Sequence, residues 1–293
     1  MQLSDLLPAT SRILLILCAS LVVSGPLFGQ TMGQAEGLYQ HTNYAASLQM
    51  LRKDTQDSPT NFLVGRDYFM LGELKKATEY IEKATKEDQT NSEYMDWLGR
   101  VYGKRAEMAN VLAAPGLASK ARQAFEQAVE LNPKNSEALA DLFDYYLNAP
   151  GFMGGGYEKA SAVADKTSAV DPPEAFSERA KLAQKRKQYI EEEQHLRHAV
   201  AAAPNQAGHL VSLAKFLAAQ GRVQESEKVF REAEKLNPKS PKVWYAHADV
   251  LIKQKRDLEE ARALLEKYMQ ASLTPDDPPK QQAAQLLKEV GGA

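Results

Sequence analysis

The chain has 293 residues, 44% hydrophobic and 25% charged, enough apolar material for a sizeable core. Its 36 basic and 38 acidic residues leave a formal net charge of −2. That balance excludes the basic stripe of a nucleic-acid binder and gives no strong pull toward a membrane surface.

Residues 1–12 are short and polar, and residues 13–23 read ILLILCASLVV without a charge, followed by Ser24-Gly25-Pro26. A run this short, broken by Gly-Pro, suits a secretory signal better than a membrane span of about 20 residues. Asp5 offsets Arg12, so the basic flank is weak and two readings stay open: a signal cleaved after residues 1–29, or a retained N-terminal anchor. Removal is expected near Gly29, because a cut after Ala35 would destroy the first helix that follows. Cys18, the one cysteine, has Leu17 where a bacterial lipoprotein signal would place a small residue, so lipidation is not expected. A mature chain without cysteine forms no disulfide, which agrees with a bacterial envelope. The expectation is an exported protein of the periplasm or cell envelope, with secretion as an alternative and no membrane span after cleavage.

From there the chain repeats itself. Residues 30–57 carry Ala35, Leu38, Tyr44, Ser47 and Leu51 at helical spacings, a degenerate hairpin. Residues 58–91 hold Gly65, Tyr68, Gly72, Ala77, Ile81 and Ala84. Residues 92–135 hold Trp97, Leu98, Gly99 and Tyr102, then Ala121, Phe125, Ala128 and Pro133, with about ten extra residues between the halves. Residues 136–172 hold Leu139, Leu142, Tyr146, Tyr157, Ala160 and Pro172, with about five extra. Residues 173–206 end on Pro204 and residues 207–240 on Pro238, 34 residues later. Residues 241–274 keep Trp244, Ala248, Leu251, Ala261 and Leu265. After Pro275, Pro278 and Pro279, residues 275–293 offer a capping helix with Ala283, Leu286, Leu287 and Val290 on one face.

This pattern resembles the tetratricopeptide repeat, W-x2-L-G-x2-Y, then A-x3-F, then P. The resemblance implies an all-α fold, an α-solenoid of stacked antiparallel helix pairs wound as a right-handed superhelix. No single pair buries its apolar faces alone, so stability comes from stacking. Gly65 and Gly99 are expected to face small residues such as Ala77 and Ala121. The prolines are expected to end each second helix.

No HExxH, CxxC, GxxxxGK[ST] or GxSxG occurs, so no catalytic residue, metal or cofactor is expected. His195 and His198 stand three apart and would serve a metal-dependent hydrolase, the least favoured reading, against a solvated face in EEEQHLRH. His247 is read as a packing position. Gly151-Phe152-Met153-Gly154-Gly155-Gly156 follows no strand and is read as a turn, not a phosphate loop. Lys185-Arg186-Lys187 is read as a solvated turn.

Two surfaces remain for a partner. The resemblance assigns certain first-helix positions to a concave groove, giving Phe62, Arg66, Arg100, Lys181, Lys215 and Tyr245, with Phe69 and Met70 beside them. Basic residues dominate that selection, so acidic groups on the partner are expected there. The basic and amide set with which some family members grip a chaperone's C-terminal carboxylate is absent. The second surface is the inserted edge, where Ala114-Pro115-Gly116 and Ala149-Pro150-Gly151 both fall between helices of their own repeats. Residues 104–110 are expected to extend the preceding helix, and Pro115, Phe152 and Met153 are the candidate contacts. The functional expectation is a non-enzymatic scaffold or adaptor that binds another protein or peptide, as a segment or a helix. The alternative is an accessory subunit for envelope polysaccharide export or secretion.

Overall fold

The computed structural model describes residues 25–51 and 57–291, with only the backbone described for 25–29. Most of the expected signal segment therefore lies outside the described residues. The described chain is all α-helix, with no strand, and runs as seven helix pairs and a closing helix.

The pairs are α1 (Gly25–Gln40) with α2 (Tyr44–Leu51), α3 (Ser58–Met70) with α4 (Leu74–Glu87), and α5 (Ser92–Glu107) with α6 (Ala114–Leu131). Next come α7 (Ser136–Asn148) with α8 (Tyr157–Thr167), α9 (Pro172–Lys185) with α10 (Tyr189–Ala202), and α11 (Ala207–Ala219) with α12 (Val223–Leu236). The last pair is α13 (Pro241–Lys253) with α14 (Leu258–Gln270), and α15 (Lys280–Gly291) closes the stack. The first helices of successive pairs touch, α3 with α5, α5 with α7, α7 with α9 and α11 with α13. Successive second helices have no comparable contact. The first helices therefore form the tighter inner layer, and the stack curves around them.

Local chemistry explains where the helices start and turn. Asp57, Asn91, Asn135, Asp171 and Ser240 each accept a backbone N–H from the first turn of a first helix. Five of the links inside pairs share one geometry, with a left-handed residue at Thr42, Gly72, Lys187, Gly221 and Lys255. In each, the next residue's N–H bonds back to a carbonyl five residues earlier, as Glu73 does to Tyr68 and Gln188 to Ala183. The basic run at 185–187 is thus a helix stop. Only two links depart from this geometry: those of α5/α6 and α7/α8, which carry the insertions.

The cores are small residues interleaved with aromatics. Ala77, Ala84, Ala121, Ala128, Ala160 and Ala183 are buried beside Tyr68, Tyr102, Phe125 and Phe230. Each large apolar side chain so buried contributes roughly 1.5–3 kcal/mol. Three expectations need correction. Gly65 and Gly99 do not face Ala77 and Ala121: a Cβ at Gly65 would lie 2.5 Å from Ile81, and one at Gly99 2.5 Å from Phe125. The glycines accommodate large side chains one helical turn further along. Pro172 opens α9 behind the Asp171 cap instead of ending α8. Finally, α5 stops at Glu107, short of Asn110, whose side chain instead accepts the N–H groups of Leu112 and Ala113.

Candidate functional site

The two insertions converge on one cavity of about 500 Å³ on the inner layer. Its floor is Phe69 from α3, Arg100 and Gly103 from α5, Phe125 from α6, and Asp141 with Asp144 from α7. Its rim is Glu107 and Ala114 at the two ends of the first insertion, and Met153 in the second. Groove and inserted edge, expected as rival surfaces, therefore meet in one place.

The second insertion is rigidly built. Residues 151–153 form one 3-10 turn, after which Gly154 takes φ +92°. A Cβ at Gly155 would stand 1.8 Å from the Ala149 carbonyl oxygen, so only glycine fits there. The Tyr145 hydroxyl lies 2.7 Å from the Met153 carbonyl oxygen and 3.0 Å from that of Ala118, tying the turn to both neighbouring helices. Phe152 is left 80% exposed. In the first insertion Met108, Val111 and Leu112 are also exposed, at 72%, 88% and 93%. Four large apolar side chains on two neighbouring loops are uncommon on a surface without a partner.

Charge on the floor is arranged differently from the sequence expectation. Arg100 donates to Glu137 at 3.1 Å and to Asp141, and its Nε lies 3.0 Å from the Asp96 carboxylate. Lys181 bonds Asp144 at 3.0 Å, and Lys104 bonds Glu107 at 2.7 Å. Asp96 is buried, and desolvation raises its pKa well above the usual carboxylate range although Arg100 opposes it. Asp141 is raised by the same cause.

The other expected contacts divide. Phe62 is 6% exposed, packed against Tyr94 at 4.4 Å between ring centroids, and is a core residue unable to anchor a partner. The Arg66 guanidinium lies over Tyr39 at 4.0 Å and over Trp97 at 5.1 Å, with Glu36 at 3.6 Å, so it belongs to the wall. Phe69 meets Trp97 edge-on at 5.6 Å and reaches the cavity, while Met70 is half-buried beside it. Pro115 is exposed at the start of α6. Lys181 and Lys215 line a different cavity, of about 620 Å³, between α9 and α11. Tyr245 packs on Tyr268 and the closing helix, far along the stack. Of the four basic residues expected along the groove, Arg66, Arg100 and Lys181 are paired within the chain, which leaves Lys215 as the remaining positive charge there.

The three histidines singled out in the sequence each meet a phenylalanine ring, with His198 exposed, His195 half-buried and His247 buried. His195 and His198 flank Phe176, at 6.4 and 5.2 Å between centroids. His247 is more than a leucine substitute. It is fully buried, stacked on Phe230, with Nδ1 2.9 Å from Glu234 and Nε2 3.2 Å from Glu227. Among the described residues no group of three or more histidine or acidic side chains is placed to hold a metal, and no helix is long and apolar enough to cross a membrane.

Residues 207–250 match the sequence profile of the tetratricopeptide repeat. The fold is that of a tetratricopeptide-repeat protein. A tetratricopeptide repeat protein from Parabacteroides merdae superposes with a TM-score of 0.59 at 15% identity, covering 90% of this chain and 98% of that one. A thermophilic tetratricopeptide-repeat protein of Thermus thermophilus gives 0.54 at 19% identity, covering 64% and 98%. Comparison with curated proteins returned no match. Stacked repeats of this kind form an extended concave surface along their inner helices.

Sequence reasoning missed Asp141, Tyr145 and the loop residues Met108, Val111 and Leu112. A signal for the last three was there. Large apolar residues in an insertion with no repeat position to fill are a mark of contact.

Proposed function

We propose that the chain is a non-enzymatic scaffold that holds a peptide segment or helix of another protein in the cavity between its two inserted loops. One observation carries this reading. Both departures from an otherwise uniform stack open at the same cavity, which is lined by Glu107 and Ala114 on either side of residues 108–113 and by Ala149 and Met153, and both expose apolar side chains. A stack maintained only for its own stability gains nothing from exposing Val111, Leu112 and Phe152 to water. An exposed aromatic such as Phe152 beside a concave surface is a usual anchor for a peptide or helix in a groove. The test is affinity capture from cell extracts, comparing the wild type with a chain in which Val111, Leu112 and Phe152 are serine. The reading expects captured partners to be lost in the variant at unchanged thermal stability. Equal capture by both chains overturns it.

The proposal includes the compartment. The uncharged run at residues 13–23 supports export to the periplasm or envelope. N-terminal sequencing of the protein recovered from envelope fractions decides it. A chain beginning near Gln30 supports a cleaved signal, one beginning at Met1 in the envelope supports an anchor, and recovery only from the cytosol overturns export.

A further inference from the structure

The chemistry of the floor narrows what the cavity takes, and this step rests on reading the cavity as the partner's seat. Two aspartates line the cavity, Asp141 and Asp144, and two more carboxylates, Asp96 and Glu137, reach the Arg100 guanidinium from a neighbouring cavity. Asp96, Glu137 and Asp141 share the Arg100 guanidinium, and Asp144 shares Lys181. Lys104 and Glu107 at the rim neutralise each other. Four carboxylates thus share two cations, Arg100 and Lys181, and the network is two cations short. The shortage reaches the cavity at Asp144, whose side chain is 45% exposed. Beside these carboxylates the cavity is apolar, lined by Phe69, Phe125, Tyr145 and Met153, and Val111, Leu112 and Phe152 stand exposed on the adjoining loops.

The geometry points to a cationic partner segment: a lysine or arginine seated against Asp141 and Asp144, flanked by large apolar side chains that cover the Val111, Leu112 and Phe152 tips. An acidic segment of the same shape would meet like charge in a partly enclosed site, and discrimination between the two follows from that repulsion. An anionic lipid surface is disfavoured by the same floor. A second copy of this chain would have to offer such a cationic segment, and it then behaves in the test as a partner that lowers its own binding on dilution.

Selection of random linear peptides on the immobilised full chain tests this, followed by affinity measurements with synthetic copies of the enriched peptides. Enriched sequences should place Lys or Arg within one helical turn of large apolar residues. Their affinity should fall by about tenfold or more in Asp144→Lys, and likewise in the variant with serine at positions 111, 112 and 152. Asp144→Lys should also favour peptides in which Glu replaces the cation. Melting curves show whether either variant is folded, and Asp144→Ala supplies a milder step in the same direction. Enriched peptides that bind through the loop tips but are acidic or uncharged overturn the cationic inference alone. Peptides unaffected by the loop substitutions, or no enrichment at all, overturn the seat itself.

Discussion

The ring of Phe125 occupies the space that a side chain at Gly99 would need. A Cβ there would stand 2.5 Å from two ring carbons, whereas one at Gly103, one turn on, would meet nothing closer than Ala121 at 4.0 Å. Two alanine substitutions on the same helix should therefore part company. Gly99→Ala should cost about 1–3 kcal/mol by overpacking, and Gly103→Ala should cost little or add stability. Denaturant unfolding of both variants checks this, with Gly99→Ala/Phe125→Leu expected to recover part of the loss. Equal effects would contradict the packing described.

The shared turn geometry gives a second prediction. Lys187 and Lys255 hold the left-handed conformation, at φ 58° and 53°, that Gly72 and Gly221 hold in the corresponding turns. An L-residue with a Cβ is strained there by about 1–2 kcal/mol. Lys187→Gly and Lys255→Gly should each raise stability, by up to about 1 kcal/mol after the flexibility of glycine is set against the relief. A fall in the unfolding midpoint of either variant would contradict this.

Helix pairing and the alanine and aromatic core positions were legible in the sequence, because they obey a period that the pairs share outside the two insertions. The partners of Gly65 and Gly99 were not, since a glycine's spacing says that something comes close without saying what. Arg66 and Arg100 were misread for a related reason. Position along a helix places them on the inner layer, but their partners come from other pairs: Tyr39 and Trp97 in one case, Asp141 and Glu137 in the other. Charge counted along one helix position cannot reveal neutralisation by the next helix. The insertions were visible as breaks in the period, but their meeting at one cavity depends on α5 lying beside α7.

Arg100 follows as a structural prediction. It is the cation nearest the buried Asp96, so Arg100→Met should destabilise the chain by about 3–5 kcal/mol. Adding Asp96→Asn should recover much of that, because the orphaned charge is gone. Thermal melts of the single and double variants measure it. A neutral Arg100→Met would show that the carboxylate cluster does not depend on it.

The pH dependence of stability has a defined sign. Burial pushes Glu178 up to about 8, opposed by a hydrogen bond from Thr167, and pushes Asp67 up to about 7, opposed by Ser47 and Arg66. His247 is also raised: its bonds to Glu234 and Glu227 outweigh the burial that opposes them. All three groups hold a proton more tightly folded than unfolded. Their stabilisation is complete below the unfolded pKa values and is lost as pH rises through the folded ones. The melting temperature should fall between about pH 5 and 9, and Glu178→Gln should flatten part of that slope. A melting temperature that rises over this range contradicts the assignment.

The most direct measurement of the account is site-specific photo-crosslinking in cells. A photoreactive phenylalanine analogue replaces Phe152 or Val111 at the loop tips, Lys215 in the second cavity, or the exposed Glu232 on the outer helix α12. Adducts to a second protein from positions 152 and 111, and none from 215 or 232, are the expected result. Adducts from 215 or 232 with none from the loop tips would place the partner elsewhere on the stack and contradict the account.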